Sequence, residues 1–243
     1  MSLYTLLVGV VGLVAGAVAS VVGFGIGSLL TPLLAVRAGT QLAVAAVSIP
    51  HFLATALRFW RLRGHVDRRV LLGFGIASAA GGLAGALLHA AAGSRALAVV
   101  FGLLLLFVGV SELTGLSRRM RFSGWVAWAA GGVSGLLGGL VGNQGGIRSA
   151  ALLGFDVRKE AFVATATAIG LVVDCARMPV YFATQASAIL GIWPLVAAAI
   201  AGTIVGTLVG VPLLRHIPER VFRRVVAVIL LGLGAYMLAW GGG

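Results

Sequence analysis

Gly142-Asn143-Gln144-Gly145-Gly146-Ile147-Arg148-Ser149 interrupts an apolar run in the second half of the chain, and Gly23-Phe24-Gly25-Ile26-Gly27 interrupts one at the corresponding point of the first. Glycine-rich breaks free backbone N–H and C=O groups from helical pairing. At membrane depth such groups survive only where they are buried in protein or line a cavity. The fold turns on whether each break joins two crossing helices or forms the tip of a hairpin that turns back inside the membrane.

The membrane itself follows from composition. Hydrophobic residues make up 60% of the 243 and charged residues 10%, far from the mixture of a soluble domain. Val70 to Ala92, Ala96 to Val110 and Gln185 to Leu214 are apolar runs near or above the ~18 residues that cross a hydrocarbon core of about 30 Å. The excess of 18 Lys and Arg over 6 Asp and Glu, net +12, gathers in short connections, where it sets orientation in the bilayer rather than binding nucleic acid. A single cysteine, Cys175, excludes an intramolecular disulfide. Ala17-Val18-Ala19 resembles a signal cleavage box, but the start lacks basic residues and the segment recurs internally, so it is read as mature structure.

A shift of 119 positions aligns Gly12 to Arg58 with Gly131 to Arg177 without a gap. Gly16, Gly23, Gly27 and Arg58 meet Gly135, Gly142, Gly146 and Arg177. Further on, a shift of 125 lays Val100, Leu105 and Gly109 on Val225, Leu230 and Gly234. Coincidence of two breaks and an intramembrane arginine in one register marks an internal repeat.

Loop charge decides between crossing and hairpin. If each break is a hairpin tip, Arg61, Arg63, Arg68, Arg69, the linker arginines 118, 119 and 121, Arg158, Lys159, Arg215, Arg220, Arg223 and Arg224 share one face, against Arg37 and Arg95 on the other. If the broken segments cross, the same charges divide almost evenly, which contradicts the inside bias of basic loops. The expected fold is therefore an all-α polytopic membrane protein of two inverted repeats, each a broken re-entrant helical hairpin followed by three transmembrane helices. The first repeat is 1–117, with a hairpin at 3–36 and helices at about 41–60, 70–92 and 95–113. The second is 118–243, with a hairpin at 124–155 and helices at about 160–183, 186–214 and 219–240. Together they form one transport domain with both termini outside the cytoplasm. Tyr4, Tyr181, Trp193 and Trp240 are expected at the outer boundary, and Trp60, Trp125 and Trp128 at the inner one.

Glycines at a break let backbone N–H groups approach a ligand, and a helix starting there turns its positive end toward an anion. Gly23, Gly25 and Gly27 carry only that signal, and glycines also serve close helix packing. The second break adds Asn143, Gln144, Arg148 and Ser149 beside Gly145 and Gly146. A guanidinium matches two oxygens of an oxyanion, and left uncompensated at this depth it costs ~3 kcal/mol or more. Arg148 otherwise pairs with Asp174 or Glu160, or reaches the interface. Arg58 snorkels beside Trp60, and Arg177 lies three residues from Asp174 on one helical face. That spacing serves a structural ion pair or a carboxylate that takes up a proton with the substrate. His51 and His89 read as packing residues, and no His, Cys, Asp or Glu set has metal-ligand spacing. Neither nucleophile-elbow nor zinc-helix motifs occur, so the chain is not read as an enzyme.

With these features in place, the chain resembles the TauE/SafE family of prokaryotic membrane transporters, many of them sulfite exporters. Gly23-Phe24-Gly25-Ile26-Gly27 followed by Thr31-Pro32-Leu33-Leu34 resembles the family's glycine-rich break and Pro-Leu-Leu segment. The second half departs from it, with Asn143-Gln144 where glycines are common and Ala151 where proline is common, as in a distinct branch. The resemblance implies export or uptake of a small anion containing sulfur or a carboxylate, at the inner (plasma) membrane of a prokaryotic cell.

Secondary transport by alternating access is thus the expected function, with Arg148, Gln144, Asn143, Gly145, Gly146, Ser149, Gly23, Gly25, Gly27 and Arg177 around the anion and Asp174 as proton-coupling residue. Its partners are the small anion, the lipid bilayer and a proton or sodium ion. Nucleic acid and cofactors are not expected, and a homodimer is compatible with the chain. A passive anion channel, or a scaffold without transport, are the alternatives.

Overall fold

The computed structural model describes residues 2–116, 124–143, 145–152, 155, 159–214 and 219–241. Those residues form helices α1 (Leu3–Val22), α2 (Ile26–Leu62), α3 (Arg68–Ala91), α4 (Ser94–Thr114), α5 (Gly124–Val141), α6 (Gly145–Leu152), α7 (Lys159–Gly191), α8 (Trp193–Leu214) and α9 (Glu219–Trp240). All but α6 are long and apolar enough to cross a membrane, eight among the described residues.

Ser2 caps α1 by accepting from the Thr5 N–H at 3.2 Å, satisfying a donor the first turn leaves free. The helix stops at Gly23, whose φ of 83° lies in the left-handed region that residues with a Cβ avoid. After the break α2 doubles back along α1: Tyr4 donates its hydroxyl to the Leu33 carbonyl, and Arg37 stacks 4.1 Å above the Tyr4 ring. At Gly39 (φ 73°, ψ 158°) α2 leaves helical geometry and turns again, so one helix by hydrogen bonding is two by direction. The second half repeats the first step, with α5 ending before Gly142 (φ 74°) and α6 starting at Gly145.

Small residues set the tertiary pairing. On α3, methyl groups at Gly81 and Gly85 would meet the Gly132 and Leu136 carbonyl oxygens of α5 at 2.1 Å each. On α8, methyl groups at Gly202 and Gly206 would meet the Gly9 and Leu13 carbonyl oxygens of α1 at 2.1 and 2.0 Å. Such backbone approach is how helices associate where lipid removes the hydrophobic drive. Residue order rises together in both pairs, so α1 runs parallel to α8 and α3 parallel to α5. In contrast α2 and α7 are antiparallel, with His51 beside Asp174 and Thr55 beside Gly170. So are α4 and α9, with Gly102 against Gly234 and Gly109 against Leu231.

Two expected details change. The turn after α7 falls at Ile192, not near Gln185, because α7 continues to Gly191 and Pro194 opens α8, where proline's missing N–H costs nothing. Tyr181 is not an interfacial anchor. It is 1% exposed, donates to the Gly139 carbonyl and packs edge-on against His89 with ring centres 4.9 Å apart. Trp60, Trp125, Trp128, Trp193 and Trp240 are exposed on the molecule's surface.

Candidate anion site

The two breaks touch. A methyl group on Gly27 would come within 2.4 Å of the Gly142 carbonyl oxygen, and one on Gly145 within 2.1 Å of the Phe24 Cβ. Only glycine permits this approach at both positions. Consequently the ends of α1 and α5 and the starts of α2 and α6 lie together, next to the middle stretches of α2 and α7.

Arginines of the two halves grip the breaks in the same way. The Gly23 N–H and Arg58 Nη1 both donate to the Ala19 carbonyl. In the other half, the Gly142 N–H (3.0 Å) and Arg177 Nη1 (2.6 Å) both donate to the Gly138 carbonyl. Every donor and acceptor here is related by the shift of 119. Each guanidinium is a second donor to a carbonyl in the last turn before the break and sits where that helix end is negative. Arg58 therefore does not snorkel: it is 8% exposed.

The residue three positions earlier separates the halves. Arg177 Nε donates to Asp174 Oδ1 at 2.9 Å, Nη2 lies 2.8 Å from the same oxygen, and His51 Nδ1 lies 2.7 Å from Oδ2. Asp174 is fully buried. The repeat mate of Asp174 is Thr55, whose hydroxyl oxygen accepts from Arg58 Nη2 at 3.2 Å and brings no charge. One arginine is thus neutralised by a carboxylate and the other is not.

Arg148 on α6 is 3% exposed. Its Nη2 donates to the Gly23 carbonyl at 3.3 Å, so it reaches across from the second break to the first. Its Nε and Nη1 find no partner among the described residues. The ion pairs open to it in the sequence do not form: Asp174 is taken by His51 and Arg177, and Glu160 is exposed at the start of α7. Gly170 on α7 makes the room, since a methyl there would stand 2.8 Å from Nη1 and 3.7 Å from the Thr55 methyl. Asn143 Nδ2, Arg58 Nε, Ser28 Oγ and Thr31 Oγ1 are likewise buried without partners among the described residues.

Of the expected site residues, the fold brings Arg148, Asn143, Gly145, Gly23, Gly25 and Gly27 together, and Gly146 lies in the first turn of α6. Ser149 is half-buried, and Gln144 lies outside the described residues. Arg177 directs its Nε, Nη1 and Nη2 groups to Asp174 and Gly138, which makes it a latch on the second break. His51, Thr55, Arg58 and Gly170 are added. Their signal was in the sequence, because 51 and 170, 55 and 174, and 58 and 177 are mates under the same shift. Apolar cavities of about 420 Å³, lined by Val14, Leu29, Pro32, Ile229 and Leu233, and about 380 Å³, lined by Leu88, Leu97, Val100 and Leu140, lie away from the arginines.

No curated protein and no solved structure matches the chain. A family model described as sulfite exporter TauE/SafE matches residues 8–237. That span is nearly the whole sequence and includes both breaks and all three buried arginines. The chain belongs to the sulfite exporter TauE/SafE family, multi-pass membrane transporters of sulfite or related anions.

Proposed function

We propose that this protein is a secondary transporter that binds a small anion, a sulfur oxyanion, organosulfonate or carboxylate, between the two helix breaks and exposes it alternately to either side. One observation carries the reading: Arg58 and Arg148 are buried where the breaks meet and have no carboxylate partner among the described residues. Buried charges left alone are costly, and an anionic guest would offset that cost. Asn143, Ser28 and Thr31 supply neutral donors, and α2 and α6 direct their N-terminal ends toward the same place.

Inverted repeats, each a re-entrant hairpin and three crossings, support alternation, since a site between such halves can rock between two equivalent states. The matched grips of Arg58 and Arg177 and the exchanged parallel pairings support that architecture. Admission of the anion requires the touching breaks to part. Proton coupling in this reading belongs to Asp174 together with His51, the titratable pair in contact with the second break's latch. Both termini lie outside the cytoplasm.

Thermal unfolding of the purified protein against sulfite, sulfate, thiosulfate, sulfonates and small carboxylates tests binding. Stabilisation by one class, abolished in Arg148→Ala and Gln144→Ala, is expected. Proteoliposome flux that rises with an imposed proton gradient marks a coupled transporter, and flux indifferent to it a channel. Flux unchanged by Arg148→Ala sinks the site.

A further inference from the structure

Charge at the junction of the breaks is asymmetric, and the asymmetry fixes a valence. Three guanidiniums, Arg58, Arg148 and Arg177, are buried there. Among the carboxylates whose side chains are described, Asp67 caps the start of α3 by accepting from the Val70 N–H, Glu112 pairs with Arg223, and Glu160 is exposed. Asp174 alone is buried, and it is engaged with Arg177 and His51. Helix ends do not alter the balance. Two C-terminal ends, of α1 and α5, meet two N-terminal ends, of α2 and α6, and their partial charges of about half a unit each cancel to first order. With His51 counted as neutral, two positive charges remain among the described residues.

These two charges face one locus. Arg58 Nη1 and Arg148 Nη2 hold the Ala19 and Gly23 carbonyls, one helical turn apart at the end of α1. Thr55 touches both surroundings, bonding Arg58 Nη2 and flanking the Gly170 recess that receives Arg148 Nη1. Arg58 Nε and Arg148 Nε and Nη1 are left as buried donors without partners among the described residues.

We infer that the site is built for a doubly charged small oxyanion and discriminates against singly charged ones of the same size. The inference rests on the anion-site reading above and narrows it, setting aside monosulfonates and monocarboxylates. A dianion would neutralise the locus, whereas a monoanion would leave one guanidinium unmatched in a low-dielectric interior, where charge differences weigh heavily.

Sulfate and methanesulfonate make the test, because a methyl group replaces one charged oxygen on the same sulfur. Stabilisation of the wild-type protein by each is titrated at pH 8 and equal ionic strength, where sulfate is a dianion and methanesulfonate a monoanion. Half-maximal stabilisation by sulfate is expected at a concentration at least about tenfold lower, the scale of one charge-assisted interaction. Arg58→Gln, which keeps a polar amide at this position but removes the charge, should bring the ratio to one or below. Equal or stronger binding of methanesulfonate to the wild type overturns the valence and leaves the anion site standing. Binding of neither overturns the valence, and the anion site falls with it only if sulfite, thiosulfate and the small carboxylates also fail to stabilise the protein. If Arg58→Gln does not fold, the wild-type ratio decides alone.

Discussion

Arg58 and Arg177 occupy equivalent positions and differ in what stands one turn before them, and that single difference assigns their roles. Breaking a buried pair by removing one partner costs about 3–5 kcal/mol, so Asp174→Asn should lower thermal stability clearly, and Asp174→Asn with Arg177→Met should recover much of the loss. Unfolding curves of the three proteins check this. A second expectation concerns Gly170, where a methyl would stand 2.8 Å from Arg148 Nη1. Gly170→Ala should displace the guanidinium and weaken anion binding by about tenfold, the order of one charge-assisted hydrogen bond, with no change in net charge. Equal affinity in a titration would remove Arg148 from the site. At this scale the sequence was only partly legible. Intramembrane arginines stand out by rarity, so Arg148 and Arg177 could be picked directly. Which carboxylate each would meet depends on how α2 and α7 face each other, and neighbouring positions do not encode that. Arg58 was misread because proximity to Trp60 and Arg61 suggested an interface, although its mate pointed to the interior.

Among the helices, glycines do two separate jobs that substitution can tell apart. Gly135 on α5 is ordinary helix, yet a methyl there would lie 1.9 Å from the Ser78 carbonyl oxygen of α3. Overpacking of this kind costs about 1–3 kcal/mol, and Gly135→Ala should show it as a lowered melting temperature. Gly142 has ordinary space around it, Val44 being 3.4 Å away, but holds φ at 74°. Gly142→Ala should cost about 1–2 kcal/mol from backbone strain alone, and Gly142→Asn, a residue that tolerates this region, less. If alanine and asparagine behave alike, strain is not what the glycine relieves. Both breaks were legible because they fall in one register under the shift of 119, whereas Gly81-Gly82, Gly131-Gly132 and Gly138-Gly139 lie inside unbroken helices. The turn at Ile192 was not, since Gln185 looked like a better interruption than it is. One polar side chain does not end a helix that can turn it outward.

Over the whole molecule, orientation follows from where the basic loops gather. In a Cys175→Ser background, Ser2→Cys should react with an impermeant maleimide added to intact cells, and Ser117→Cys in the basic linker only after permeabilisation. Reversed labelling would invert the topology and both predicted termini. Loop charge gives the expected count of crossings, three in each half, and the labelling pattern tests it. The pairing of α1 with α8 and of α5 with α3 was not legible in advance, because small residues line nearly every helix and so do not name their partners. That pairing bears on biosynthesis. Each half keeps its glycine-lined face for a helix of the other, so when the ribosome has released only the first hundred residues, the glycine-lined faces of α1 and α3 have nothing but lipid against them. The nascent chain must wait for Leu214 before α1 is clasped. Neither half, expressed by itself, should become protease-resistant, whereas both fragments made in one cell should assemble.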